Sequence, residues 1–121
     1  MAQLLRRVVD LMSMSRKAGG AVTGYEKVKE WLMKDRAAVL VQASDGSERG
    51  KTKLRPPGDG DTLISCLSAG ELGLAFGRER AIHAALAAGG LTTRVVEEAA
   101  RLAGLRGHIG GNSAAEETKT A

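Results

Sequence analysis

At 121 residues the chain is long enough to bury one core and too short for two. Its net charge is +4, and a single cysteine, Cys66, excludes an internal disulfide and cannot by itself build a zinc site. Tyr25, Trp31 and Phe76 are the whole aromatic set, so the core must come from Leu, Val, Ile, Ala and Met. No apolar stretch approaches the ~20 residues of a membrane helix. The segment after Arg6 and Arg7 is amphipathic and holds Asp10, unlike a signal peptide, and a reducing cytoplasm is the expected setting. Charge is uneven: residues 1–53 hold 11 Lys+Arg against 6 Asp+Glu, whereas residues 54–106 hold 6 of each. A basic first half suits a polyanionic partner, with solubility as the plain alternative.

The first helix is expected over residues 3–17, where Leu4, Val8, Leu11, Met12 and Ser15 make one stripe widened by Leu5 and Val9. Gly19 and Gly20 end it. Ala21-Val22-Thr23 is a short strand, and Gly24 opens a second helix over about 25–34, with Val28, Trp31 and Leu32 on one side. Ala37-Ala38-Val39-Leu40-Val41 is the most continuous apolar run, which predicts a strand at 37–43 buried on both faces. Ser44 and Asp45 offer N-cap chemistry to a weak basic helix over 46–54. A Pro/Gly loop follows at 55–61, then a strand at 62–67. Ser68 and Glu71 form a capping-box pattern for a helix ending at Gly77. Arg78-Glu79-Arg80 is a charged loop before a strand at 81–87, and a last helix is expected over 92–103. The tail from 107 to 121 has little to bury and is expected to be disordered. Alternating helices and strands predict an α/β domain over 1–106, with a four-stranded parallel or mixed sheet between helical layers.

Little here supports catalysis. Asp45 to Thr52 looks like the phosphate loop G-x-x-x-x-G-K-[ST], but Asp45 replaces the first glycine and would set a carboxylate beside bound phosphates. His83 lies within a strand, His108 in the tail, and Cys66 reads as a small core residue. No triad, dyad or metal cluster can be assembled, so the chain is expected to be non-catalytic, without cofactor or metal. Trp31 reads as core, and Tyr25 as packing rather than base-stacking.

Three loops carry the candidate site. They are Gly24 with Lys27, then Ser44-Asp45-Gly46 with Arg49, Lys51 and Lys53, then Gly77-Arg78-Glu79-Arg80. Helix N-termini and flexible cations both favour phosphate. If folding gathers them on one edge, Gly24, Lys27, Lys51, Arg78 and Arg80 are the leading RNA-binding candidates, with Glu26 and Ser44 in support.

Four blocks carry a family resemblance over about residues 4–104: Ala18-Gly19, Val22-x-Gly24, Ala37-x-Val39-Leu40-Val41-x-Ala43-Ser44-Asp45, and Glu71-Leu72-Gly73-x-Ala75-x-Gly77-Arg78. Lys53-Leu54 matches as well. With these the chain resembles the L-seven-Ae/L-thirty-e superfamily of kink-turn RNA-binding ribosomal proteins, in its bacterial YlxQ-like branch. The resemblance implies a three-layer α/β/α sandwich with a mixed four-stranded sheet, whose three loops converge on an RNA-binding edge. It implies structured RNA as partner and an accessory role beside the ribosome or the transcription machinery. It also implies that the chain can stand as the C-terminal part of a YlxR–YlxQ-type fusion. Where strong kink-turn binders carry Asn-Glu and then Lys, this chain has Glu26, Lys27 and Glu30. That pattern favours shape-directed over base-specific contact. Two other readings stand beside it: an adapter that docks on ribosomal or polymerase proteins, and the recognition part of an RNA-modifying enzyme.

Overall fold

The computed structural model describes residues 2–46, 54, 56–57 and 63–107. The basic helix expected over 46–54, with Lys51, and the disordered tail expected from 107 thus fall almost wholly outside the described residues.

Eight elements follow in order: α1 (Ala2–Lys17), β1 (Ala21–Thr23), α2 (Tyr25–Met33), β2 (Val39–Gln42), β3 (Leu63–Ile64), α3 (Ala69–Phe76), β4 (His83–Leu86) and α4 (Gly90–Arg106). The sheet order is β1-β4-β2-β3. β4 runs antiparallel to both β1 and β2, while β3 runs parallel to β2, so the sheet is mixed.

Register and sequence agree residue by residue. Val39 pairs with Leu86 and Val41 with Ala84, and these four join Ile64 in one core against Val8, Leu11 and Met12 of α1, Leu72 and Phe76 of α3, and Val95, Ala99 and Leu102 of α4. Between them Leu40 pairs with Ala85 and turns to the other face, where Val28 and Trp31 of α2 cover it. Side chains of a strand alternate between faces, so a strand apolar at every position must be covered on both. All four residues of β2 are buried. The result is the three-layer α/β/α sandwich, in which three of the described helices lie on one face and α2 on the other.

Four spans differ from the sequence expectation, the first being the strand expected at 37–43, which runs Val39–Gln42. Among the described residues, the strand expected at 62–67 keeps Leu63 and Ile64 and ends there, because the chain leaves the ladder to enter the capping box of α3. The strand expected at 81–87 begins at His83, because the Ala81 N–H donates to the Ala69 carbonyl of α3. The last helix is longer than 92–103, running from Gly90 to Arg106 and closed by Gly107, whose φ of 76° supplies a left-handed C-cap. The capping box itself is present: Ser68 Oγ accepts from Glu71 N, and the Glu71 carboxylate accepts from Ser68 N. Cys66 is fully buried, and its thiol faces the Ala99 carbonyl at 3.6 Å.

Candidate functional site

Topology alone brings the loops together. Because β4 is antiparallel to its two neighbours, its first residue meets the last residues of both. Thr23 pairs with Ala84, and Gln42 with His83. The chain leaving β1, the chain leaving β2 and the chain entering β4 therefore share one rim of the sheet. Hydrogen bonds fasten the junction. Gly24 N donates to the His83 carbonyl at 3.2 Å and Thr23 Oγ1 to the same oxygen at 2.7 Å, while Ala43 N donates to Ile82 O at 2.8 Å. Ser44 N donates to Leu67 O, tying in the chain that leaves β3.

At this rim lies a groove of about 570 Å³ lined by Gly24, Tyr25, Asp45, Gly46, Arg78 and Arg80, with Thr23, Ala81, Ile82 and His83 beneath. Gly24 adopts φ 99° and ψ 143°, a conformation open essentially only to glycine. Space around it is free, so the backbone path requires the glycine rather than close approach of a neighbour. The same residue precedes α2 without any side-chain cap, which leaves first-turn N–H groups at the rim for an acceptor from outside.

Asp45 has a different task from the one its sequence position suggests. Its Oδ1 accepts from Ala69 N at 2.8 Å, capping α3 across the sheet end. The Arg78–Arg80 loop is set by Gly73, against which it packs, and by Arg78 N donating to Gly73 O at 3.0 Å.

Five of the described cations are held in ion pairs. Arg6 meets Asp10, Arg7 and Arg101 meet Glu98, Lys34 meets Glu30, and Arg106 meets Glu71. Arg36 lies over the Trp31 ring at 4.9 Å. Among the described residues, Lys27, Arg78 and Arg80 take part in no ion pair. Lys17, Lys29 and Arg94, away from the rim, are likewise in no ion pair among the described residues, so what distinguishes Arg78 and Arg80 is their meeting in one groove.

The described residues singled out from sequence each have a definite place. Gly24, Arg78 and Arg80 line the rim groove together. Lys27 stands on the first turn of α2 and lines an adjoining groove with Arg78. Glu26 is exposed on the far side of that turn, where it lines a surface with Lys29, Glu30, Met33 and Lys34 instead. Ser44 is exposed and touches neither groove, and Lys51 lies outside the described residues. Sequence reasoning missed the groove floor. His83 is buried and meets Tyr25 edge-to-face at 5.7 Å. Tyr25 packs against the α2-side core, as expected, while its other side borders the groove. Arg16, which at the end of α1 reads in sequence as one more solvated arginine, lines the adjoining groove with Lys27 and Arg78.

Among the described residues no three His, Cys, Asp or Glu side chains come together to hold a metal ion. No described helix is long and apolar enough to cross a membrane.

Fold and rim together define a small α/β/α module with a cationic edge. No family model matches the chain, and no curated protein does. A solved structure of a protein of unknown function from Bacillus halodurans C is similar, with 14% identity and a TM-score of 0.60. The match covers 77% of this chain and 96% of that one, and at that identity it bears on the fold alone.

Proposed function

We propose that this chain is a non-catalytic, cytoplasmic RNA-binding module, one that grips structured RNA by its phosphate backbone in an accessory role to translation or transcription. The observation that carries the reading is the meeting of Arg78, Arg80 and Lys27 with the uncapped start of α2 on one rim, none of the three cations being paired among the described residues. Guanidinium and ammonium groups left free beside open backbone N–H groups favour phosphate oxygens. Tyr25 and Ile82 add apolar surface at the same place, which suits RNA whose helix is interrupted by a loop or bulge.

The test is a titration of the protein against a labelled kink-turn RNA and against an uninterrupted duplex of equal length, at 50 to 200 mM salt. Three or four phosphate contacts give a log–log slope of roughly −2 to −4. Preference for the kink-turn RNA with a slope in that range supports the proposal. Failure of both RNAs to bind at the lowest salt overturns it.

A further inference from the structure

A second groove, of about 290 Å³, lies beside β1 and is lined by Arg16, Ala21, Val22, Thr23, Lys27, Phe76 and Arg78. It shares Thr23 and Arg78 with the rim groove, so the two are continuous across these residues. Three different elements bring the cations here: Arg16 from the last turn of α1, Lys27 from the first turn of α2, and Arg78 from the loop after α3. The Arg16 guanidinium is held over the chain next to Arg78, since a β-carbon on Gly77 would stand 3.2 Å from Arg16 Nη1. Among the described residues no carboxylate lines this groove and none of the three cations forms an ion pair. Buried Ala21 and Phe76 contribute to its walls, and low-dielectric surface strengthens the pull on an anion.

We infer that Arg16, Lys27 and Arg78 form a second phosphate subsite, along which the backbone of the bound RNA continues from the rim groove past the edge strand β1. The inference rests on the RNA-binding reading above and extends it by a site that includes Arg16. It also fixes a direction for the RNA, from Arg80 across Arg78 toward the end of α1. Cations beside an edge strand have another known use, which is to deter pairing with a second chain. The subsite and the deterrent differ in what removing the charge does.

The experiment compares wild type with Arg16→Gln, Arg16→Lys, Arg80→Gln and Arg94→Gln, using the labelled kink-turn RNA over 50 to 200 mM salt. Each variant is checked by thermal melting and by sedimentation. Arg94 is an exposed residue of α4, on the three-helix face, and controls for loss of one charge. The expected result is that Arg16→Gln weakens binding roughly two- to fivefold, the range an exposed ion pair supplies. Its salt slope should shrink by roughly 0.7–0.9, the contribution of one phosphate. Arg16→Lys should restore most of both, and Arg94→Gln should change neither. If Arg80→Gln weakens binding while Arg16→Gln matches Arg94→Gln, the subsite is overturned and the rim reading stands. If Arg16→Gln self-associates with unaltered RNA affinity, the residue is a deterrent and the subsite is again overturned. If wild type binds neither RNA, both fall together.

Discussion

Gly73 of α3 lies directly against the carbonyl of Arg78, so closely that a β-carbon on the glycine would come within 2.6 Å of that oxygen. It would also stand 3.0 Å from Arg80 N. Both contacts are backbone, and neither can move without shifting the loop. Gly73→Ala should therefore displace the segment carrying the two rim arginines and cost roughly 1–3 kcal/mol, as overpacking commonly does. Denaturant unfolding gives the stability loss, and RNA titration of the folded variant should show weakened binding. Wild-type affinity would mean that the loop position is immaterial to the partner.

Arg78 and Arg80 are exposed and, among the described residues, carry no ion pair. Replacing both with alanine should leave the melting temperature within a degree or two of wild type, since surface changes away from structural contacts cost little. RNA binding should fall, and its log–log salt slope should drop by roughly 1.4–1.8 for two lost phosphate contacts. An unchanged slope would remove this loop from the site.

Gly24→Val tests the turn at the head of α2. A β-branched residue at φ 99° is strained, and such positions cost about 1–3 kcal/mol. Chemical denaturation should show that loss, with the RNA affinity of the folded fraction reduced because the α2 N-terminus is re-aimed. A stability equal to wild type would show that the loop relaxes without consequence.

The Arg106–Glu71 pair predicts an acid response. Arg106 Nη1 and Nη2 donate to the two Glu71 oxygens at 2.6 and 2.7 Å, and Nη1 also donates to the Cys66 carbonyl at 3.0 Å. Above all through the Arg106 hydrogen bonds, aided by Ser68 N–H, the Glu71 carboxyl is lowered from an ordinary 4.5 to about 2. A carboxyl depressed in the folded state contributes its full stabilisation above its unfolded value. That contribution is present above pH 4.5 and is lost as pH falls toward about 2. Glu71→Gln should be less stable at neutral pH by roughly 1.5–3 kcal/mol, the range for hydrogen bonds to charged groups. Its stability should also change less between pH 4.5 and 2 than that of wild type, measured by urea unfolding at each pH.

Asp45→Ala removes the acceptor of Ala69 N and should cost about 1 kcal/mol, as lost helix caps do. Asp45→Asn keeps an acceptor and should recover most of it. Because the carboxylate sits at the rim, the asparagine variant should bind RNA at least as tightly as wild type. Weaker binding by Asp45→Asn would assign the charge a direct part in recognition.

How much of this was legible beforehand follows from which interactions are local. The stripe from Val8 to Ser15, the doubly buried run at Val39–Val41, the Ser68–Glu71 capping box and the stop at Gly77 are all written in neighbouring residues, because periodicity and caps act over a few positions. From the order of helices and strands came the α/β class, and from the three punctuated loops came Gly24, Arg78 and Arg80. Asp45 shows where such reading stops: beside Ser44 it looks like the cap of the next helix, yet its carboxylate serves Ala69, 24 residues on.

By itself, the sequence determined the order of the elements and their buried faces, since each depends on spacing along the chain. Only the tertiary structure decided that β4 runs antiparallel between β1 and β2, which is what carries Thr23, Gln42 and His83 to one rim. It alone set Arg16 beside Arg78 and turned Glu26 away. Strand order and direction are fixed by long-range pairing and burial, and no local pattern of residues records them.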